Sequence, residues 1–149
     1  MPRWRRRAEE GSVLVVTALA LVALLGATAF SVDIGRETVV KRHLQGTADA
    51  AAADARFGLC DQAEASQLAG ASFGRNDFTV GSGSPATVTL GTVTTTNGVQ
   101  QFTAGADCAA TSTSSPAVQV HLSQTVPHLF ASGTSTPSAT GTWVSTPLT

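Results

Sequence analysis

An uncharged apolar segment of twenty residues, from Val13 to Val32, restricts the possible folds of this chain more than any other feature. A helix rises about 1.5 Å per residue, so a helix of this length spans about 30 Å, the thickness of the hydrocarbon core of a bilayer. As a buried helix of a soluble protein it would need apolar partners on every side. The rest of the 149-residue chain is too small and too polar to supply them. We therefore assign a transmembrane helix to residues 13–34, after a basic segment at residues 1–12.

Basic residues flank this segment and predict its orientation. Seven of the nine Lys and Arg residues lie at or before residue 42: Arg3, Arg5, Arg6 and Arg7 precede the segment, and Arg36, Lys41 and Arg42 follow it. The denser N-terminal cluster favours a cytoplasmic N-terminus, because positively charged flanks stay on the cytoplasmic side. The prediction is a single-pass protein of the cell membrane with its C-terminal part outside the cytoplasm.

The same N-terminus also fits a cleaved secretory signal peptide. An arginine-rich start, an apolar run and the small residues before Phe30 match such a peptide, with the cut after Ala29. Against this alternative, the apolar run exceeds the usual signal core, and Glu9 and Glu10 separate the arginines from it. We favour a retained anchor; cleavage would give a secreted binding or adhesion module.

Beyond the membrane segment, residues 35–73 are predicted to form an amphipathic helix continuous with it. Apolar residues recur every three or four positions and form a narrow, alanine-rich stripe: Val40, Leu44, Ala48, Ala51 or Ala52, Ala55 and Leu59. Alanine permits close helix approach but buries little area, so such a helix is stable mainly when packed. The stripe is either the core face of the chain's own domain or a surface that bundles with other helices.

Residues 74–149 are predicted to form a Thr/Ser/Gly-rich β domain. Asn97-Gly98 lies between two runs with a period of two and is a strong hairpin signal. Later strands are expected at residues 118–122 and around Trp143 and Val144, with Ser/Thr/Pro loops at 109–116 and 132–137. The fold class is therefore α+β, with one long helix against a small antiparallel sheet. A partly disordered surface stalk is the alternative, because large apolar residues are scarce.

The sequence contains no arrangement that indicates catalysis. After Asp77 the only charged residue is Asp107, and His43, His121 and His128 are scattered; His121 is expected to face solvent. A Ser-His-Asp site needs an acid beside a histidine, and a metal site needs clustered ligands. We expect no enzyme, cofactor, metal or small-molecule substrate. Nucleic acid is not expected either, because the basic residues bracket the apolar segment instead of forming a stripe on a domain.

Cys60 and Cys108 are the only cysteines. In an exported domain such a pair more often forms a disulfide than a metal or redox site. Closing a loop of this length would stabilise the fold by about 4 kcal/mol in the chain-entropy model.

Four short elements, in order, resemble the N-terminal module of the TadE/TadG-like proteins of the Flp (tight adherence) pilus system. They are Gly11-Ser12, Val32-Asp33-Ile34-Gly35-Arg36, Leu44-Gln45 and Ala48-Asp49-Ala50-Ala51-Ala52. The resemblance covers about the first 57 residues. It implies a pilus-assembly or minor pilin-like envelope component with a pilin-like fold, and other pilus or secretion-platform subunits as partners.

The resemblance also implies a processing site between Gly11 and Ser12. Pilin-type precursors carry a Glu at the fifth mature position, where this chain has Val16. Asp33 of the motif either marks the outer end of the membrane span, with Arg36 as its i+3 partner, or matches a charge on a neighbouring subunit.

Overall fold

A computed structural model describes residues 4–105, 111 and 114–145, and for residues 4–11 only the course of the helix. Two helices precede six strands along the chain. Their bounds are α1 Trp4–Ala55, α2 Gln62–Arg75, β1 Ala86–Thr96, β2 Val99–Ala104, β3 Ser114–Ser123, β4 Val126–Pro127, β5 Thr134–Ser135 and β6 Ser138–Val144. The α+β prediction, a long N-terminal helix followed by a small antiparallel sheet, is confirmed.

Helix α1 runs for 52 residues without a break. Within the described part of the chain it is the one helix long and apolar enough to cross a membrane. Residues 12–32 are exposed except for half-covered Ala29, whereas Asp33 is buried. The two ends of α1 therefore have different surroundings: Asp33 is the first buried residue after the apolar run, and the helix buries a regular face only from Leu44 onwards.

The helix predicted from residue 35 to residue 73 is in fact two helices. A short 3-10 turn, Arg56–Gly58, follows α1, and α2 begins after Asp61. The Asp61 carboxylate accepts hydrogen bonds from the backbone N–H groups of Ala63 (2.8 Å) and Glu64 (3.2 Å), as an N-cap residue does. Asp61 followed three residues later by Glu64 is a helix-start signal. The sequence therefore contains a signal for the start of a second helix. The alanine-rich periodicity on both sides of it instead favours one continuous helix.

Four strands form one antiparallel sheet in the order β2-β1-β3-β6. The predicted hairpin is confirmed: Asn97 and Gly98 connect β1 to β2 with φ angles of 53° and 78°. Both angles are positive, as a tight two-residue turn requires. The predicted strands around residues 118–122 and Trp143 are also present, as β3 and β6.

The loops predicted at 109–116 and 132–137 are shorter than expected. Strand β3 already begins at Ser114, and Thr134–Ser135 is strand β5, which pairs with β4. Residues 106–110 and 112–113 lie outside the described residues. The β4–β5 pair is a small separate hairpin that follows β3.

The core lies between one face of the sheet and the two helices. The stripe of α1 contributes its buried apolar residues, as do α2, the following turn and the sheet: Leu44, Ala48, Ala51, Ala52, Ala55, Ala65, Ala69, Phe73, Phe78, Leu90, Val118, Val120, Leu122 and Ala139. Of the two roles predicted for the stripe, the structure shows that of a core helix in its own domain. It is not free to bundle with other helices.

Helix and sheet approach each other most closely at Gly141 of β6. A Cβ built on Gly141 would lie 2.6 Å from the backbone nitrogen of Asp49 and closer still to the carbonyl of Ala48. The backbone of α1 therefore rests directly on the strand at this point.

Candidate functional site

The base of the folded domain, where α1 leaves its exposed apolar segment, carries the most specific polar contacts between the helix and the β domain. The β4–β5 hairpin meets α1 here. Residues 128–133, which connect these two strands, are called the hairpin loop below. The loop is closed by a hydrogen bond from the His128 N–H to the Gly133 carbonyl (3.2 Å), and Gly133 has a φ of 120° that favours glycine.

Asp33 of α1 binds this hairpin loop through its carboxylate. Oδ1 accepts the N–H of Leu129 at 2.9 Å, and Oδ2 accepts the N–H groups of Phe130 at 3.2 Å and Ala131 at 3.0 Å. Successive backbone N–H groups that converge in this way form an anion-binding concavity. The side chain thus satisfies backbone donors that are more than ninety residues away in sequence.

These hydrogen bonds favour the charged form of the carboxylate. A carboxylate that accepts several backbone N–H groups is stabilised in its ionised form. Asp33 is only 7% exposed, so it is enclosed by its own chain. The hairpin-loop backbone is a partner of Asp33 that the sequence did not predict, and among the described residues Asp33 forms no ion pair with Arg36. Its roles as the outer end of the span or as a match for a charge on a neighbouring subunit stay predictions.

Two further polar side chains of α1 bond to the backbone of the β domain. Arg36 donates to the carbonyl of Pro127 (3.2 Å), immediately before the hairpin loop. Gln45 donates to the carbonyl of Thr140 in β6 (3.2 Å) and to the carboxylate of Asp49 (2.9 Å). Three motif residues therefore fix α1 against the β domain along one side.

The remaining motif residues have mainly packing roles. Leu44, Ala48 and Ala51 are buried in the core. Ala50 is half-buried, and Gly35 is exposed, with no atom within 4 Å of a Cβ built on it. The motif thus combines buried packing residues with three backbone-binding side chains on one helix.

The predicted processing sites lie on α1. Ser12 and Phe30 are exposed, and Ala29 is half-covered. Of Gly11 only the helical backbone is described. Cleavage after Gly11 or after Ala29 stays a prediction. Cys60 is exposed in the connection between α1 and α2; Cys108 lies outside the described residues, so the disulfide also stays a prediction.

An open groove of about 340 Å³ lies on the other face of the sheet. It is lined by Val93, Gln100, Phe102, Gln119, Thr142 and Val144, none of which titrates. His121, on β3, is exposed as predicted. Among the described residues no group of three His, Cys, Asp or Glu side chains is placed to hold a metal ion.

Comparison with known families extends the resemblance over most of the chain. The Flp pilus-assembly TadE/G-like family model matches residues 11–71, and the Tad-like Flp pilus-assembly model matches residues 44–142. The second match takes in α2 and the β domain, where the sequence motifs had given no family signal. No curated protein and no solved structure matches the chain. Because the Tad-like model covers about two thirds of the chain, this protein belongs to the Tad-like Flp pilus-assembly family.

Proposed function

We propose that this protein is a membrane-anchored, minor pilin-like component of Flp pilus assembly, with a cytoplasmic N-terminus and an extracytoplasmic domain. Family membership supports a structural, non-catalytic role in pilus assembly. The basic N-terminal cluster supports the orientation.

One observation carries the proposal: a single helix has two different surroundings. The uncharged residues 13–32 are left uncovered by the rest of the chain except at half-covered Ala29, whereas residues 44–55 of the same helix supply its buried core face. An apolar segment of this size that the protein does not cover requires another apolar environment. A bilayer fits because the length of the uncovered segment matches the hydrocarbon thickness.

Other pilus or secretion-platform subunits are the proposed partners. The alanine stripe of α1 is buried in its own domain and cannot be their binding surface. The surfaces left for them are the exposed apolar helix and the outer face of the sheet. The sheet face is nearly uncharged, so we expect contacts by shape and hydrogen bonding more than by ion pairs.

The second candidate is a secreted adhesion module released by cleavage before Phe30. The contacts of the folded domain begin at Asp33, so a chain that starts at Phe30 would keep all of them. The fold is therefore compatible with both products, and only the state of the mature N-terminus separates them.

The test is the intact mass and N-terminal sequence of the protein from membrane and culture-supernatant fractions, with alkaline carbonate extraction of the membranes. The proposal expects a carbonate-resistant chain that begins at Met1, Pro2 or Ser12; Ser12 would establish prepilin-type processing despite Val16. Protease added to spheroplasts should remove a C-terminal tag and spare an N-terminal tag. A soluble chain that begins at Phe30 would refute the anchor and leave the secreted module.

A further inference from the structure

The hairpin loop presents two adjacent large apolar side chains to the outside of the domain. Leu129 is 61% exposed and Phe130 is 65% exposed. In the described part of the chain after residue 74, the other exposed large apolar residues are Val80 and Val99, which stand singly. Single exposed apolar residues are ordinary in proteins. Two adjacent ones, Leu129 and Phe130, form a contiguous apolar surface of the kind found at interaction sites.

Asp33 fixes the depth of this pair relative to the apolar segment. The backbone nitrogens of Leu129 and Phe130 lie 2.9 Å and 3.2 Å from its carboxylate oxygens. Asp33 directly follows Val32, the last residue of the uncharged run. The loop therefore lies at the level where that run ends. Phe30 and Ile34, within one helical turn of Asp33 along α1, are also exposed.

The backbone N–H groups of residues 128–131 in the hairpin loop do not depend on water for hydrogen bonding. The N–H groups of residues 128–131 are all hydrogen-bonded, the first to Gly133 and the other three to Asp33. Moving a loop towards lipid is costly when it strips water from unpaired backbone donors. Here these donors already have partners within the protein, so that cost is largely removed.

From the exposed pair, its depth and its satisfied backbone we infer that Leu129 and Phe130 insert into the outer interface of the same membrane that α1 spans. The inference rests on the proposed anchoring of α1. The occupant is lipid, because the pair lies at the end of a membrane-length helix and the loop itself carries no carboxylate. Arg36, exposed beside Pro127, lies at the level of the lipid phosphates.

The insertion would give the domain a second attachment to the membrane. A single helix leaves the domain free to rotate about the helix axis, whereas a helix with an inserted loop on one side holds one face of the domain towards the bilayer. Asp33 is the positioning residue, because it holds the loop at that depth without touching lipid through its own buried carboxylate.

The test uses the full chain in vesicles, with Phe130→Trp as a fluorescent probe and lipids brominated near the headgroup end of the acyl chain as the quencher. Wild-type emission from Trp4 and Trp143 is measured in parallel and subtracted. Val99→Trp is the matched control, because Val99 is 68% exposed and follows the Asn97-Gly98 turn. That turn lies at the end of the sheet opposite the hairpin loop, since β1 and β3 are antiparallel.

The inference expects Phe130→Trp emission to shift to the blue and to lose a several-fold larger fraction to brominated lipid than Val99→Trp emission. Leu129→Trp should repeat the result if Phe130→Trp disturbs the loop. Leu21→Trp, in the middle of the apolar segment, reports on α1 itself and is measured with lipids brominated near the methyl end of the acyl chain. Quenching of Leu21→Trp with no quenching at positions 129 and 130 would overturn loop insertion alone. No quenching at Leu21→Trp would overturn the anchor and the inference together.

Discussion

The close approach of α1 to β6 makes Gly141 the most informative position for testing how the domain is packed. Replacing Gly141 by Ala adds one methyl group, which would lie 2.6 Å from the backbone nitrogen of Asp49 and nearer still to the carbonyl of Ala48. Both sides of this contact are backbone, one a helix and the other a strand. Neither can give way by a side-chain rotation, so the two elements must move apart.

The size of the effect follows from two opposing terms. Overpacking of a well-packed core costs about 1–3 kcal/mol. Replacing Gly by Ala in an accessible backbone conformation gains about 0.5 kcal/mol from the unfolded chain. We therefore expect the free energy of unfolding to fall by about 0.5–2.5 kcal/mol. In a domain of this size 1 kcal/mol corresponds to about 4–8 °C, so the melting temperature should fall by about 2–20 °C.

The assay is thermal unfolding of the detergent-solubilised chain, followed by tryptophan fluorescence in a Trp4→Phe background so that Trp143 is the only emitter. Trp143 packs against the core, so its emission reports the folded domain and not the apolar helix. Gly46→Ala is the matched control: Gly46 is exposed on the same helix, and a Cβ there would meet nothing within 4 Å. Because Ala is the better helix former by about 1 kcal/mol, the control should raise the melting temperature by about 4 °C.

A lower melting temperature for Gly141→Ala and a higher one for Gly46→Ala would establish that the contact between α1 and β6 determines the effect at Gly141. A general effect of replacing glycine would shift both in the same direction. A Gly141→Ala variant that melts at or above the wild-type temperature would refute the reasoning. It would mean that α1 can rise from the sheet at little cost, and that the core depends less on this contact than its geometry indicates.

Two further predictions concern Asp33 and Asp61. Asp33→Asn replaces a carboxylate that accepts three backbone N–H groups by an amide with a single acceptor oxygen, so part of the hairpin loop loses its hydrogen-bond partner. The melting temperature of Asp33→Asn should thus lie below that of wild type; an unchanged melting temperature would contradict this. Asp61→Ala should cost about 1 kcal/mol by removing the α2 cap, whereas Asp61→Asn should cost little; equal losses in thermal unfolding would exclude a capping role.

The features that sequence predicted correctly are those encoded by local pattern. The apolar run from Val13 to Val32 needs only its own composition to be recognised. The stripe that includes Leu44 and Ala48 needs only its period, and the β1–β2 turn needs only Asn97-Gly98. In each case the physical cause lies within a few residues of the observation.

The role of Asp33 could not be read in the same way, because its partners carry no sequence signature. It binds backbone N–H groups of the hairpin loop, and nearly every residue has such a group. Only the course of the chain between β3 and β6 brings them to the helix. The same holds for Arg36 and Gln45, which bond to carbonyl groups. Such contacts require particular side chains on the helix. They require few particular residues in the β domain, because nearly every residue offers a backbone N–H and carbonyl group.

The position of Gly35 shows what these contacts achieve. A glycine within a helix is a weak point, about 1 kcal/mol less favourable than alanine, and Gly35 lies where the uncovered half of α1 meets the covered half. Without support, the helix could bend there and leave the domain loosely tethered. Asp33 and Arg36 bracket this glycine, and both bond to the same hairpin, one at residues 129–131 and the other at Pro127. The hairpin therefore bonds to α1 on both sides of this glycine.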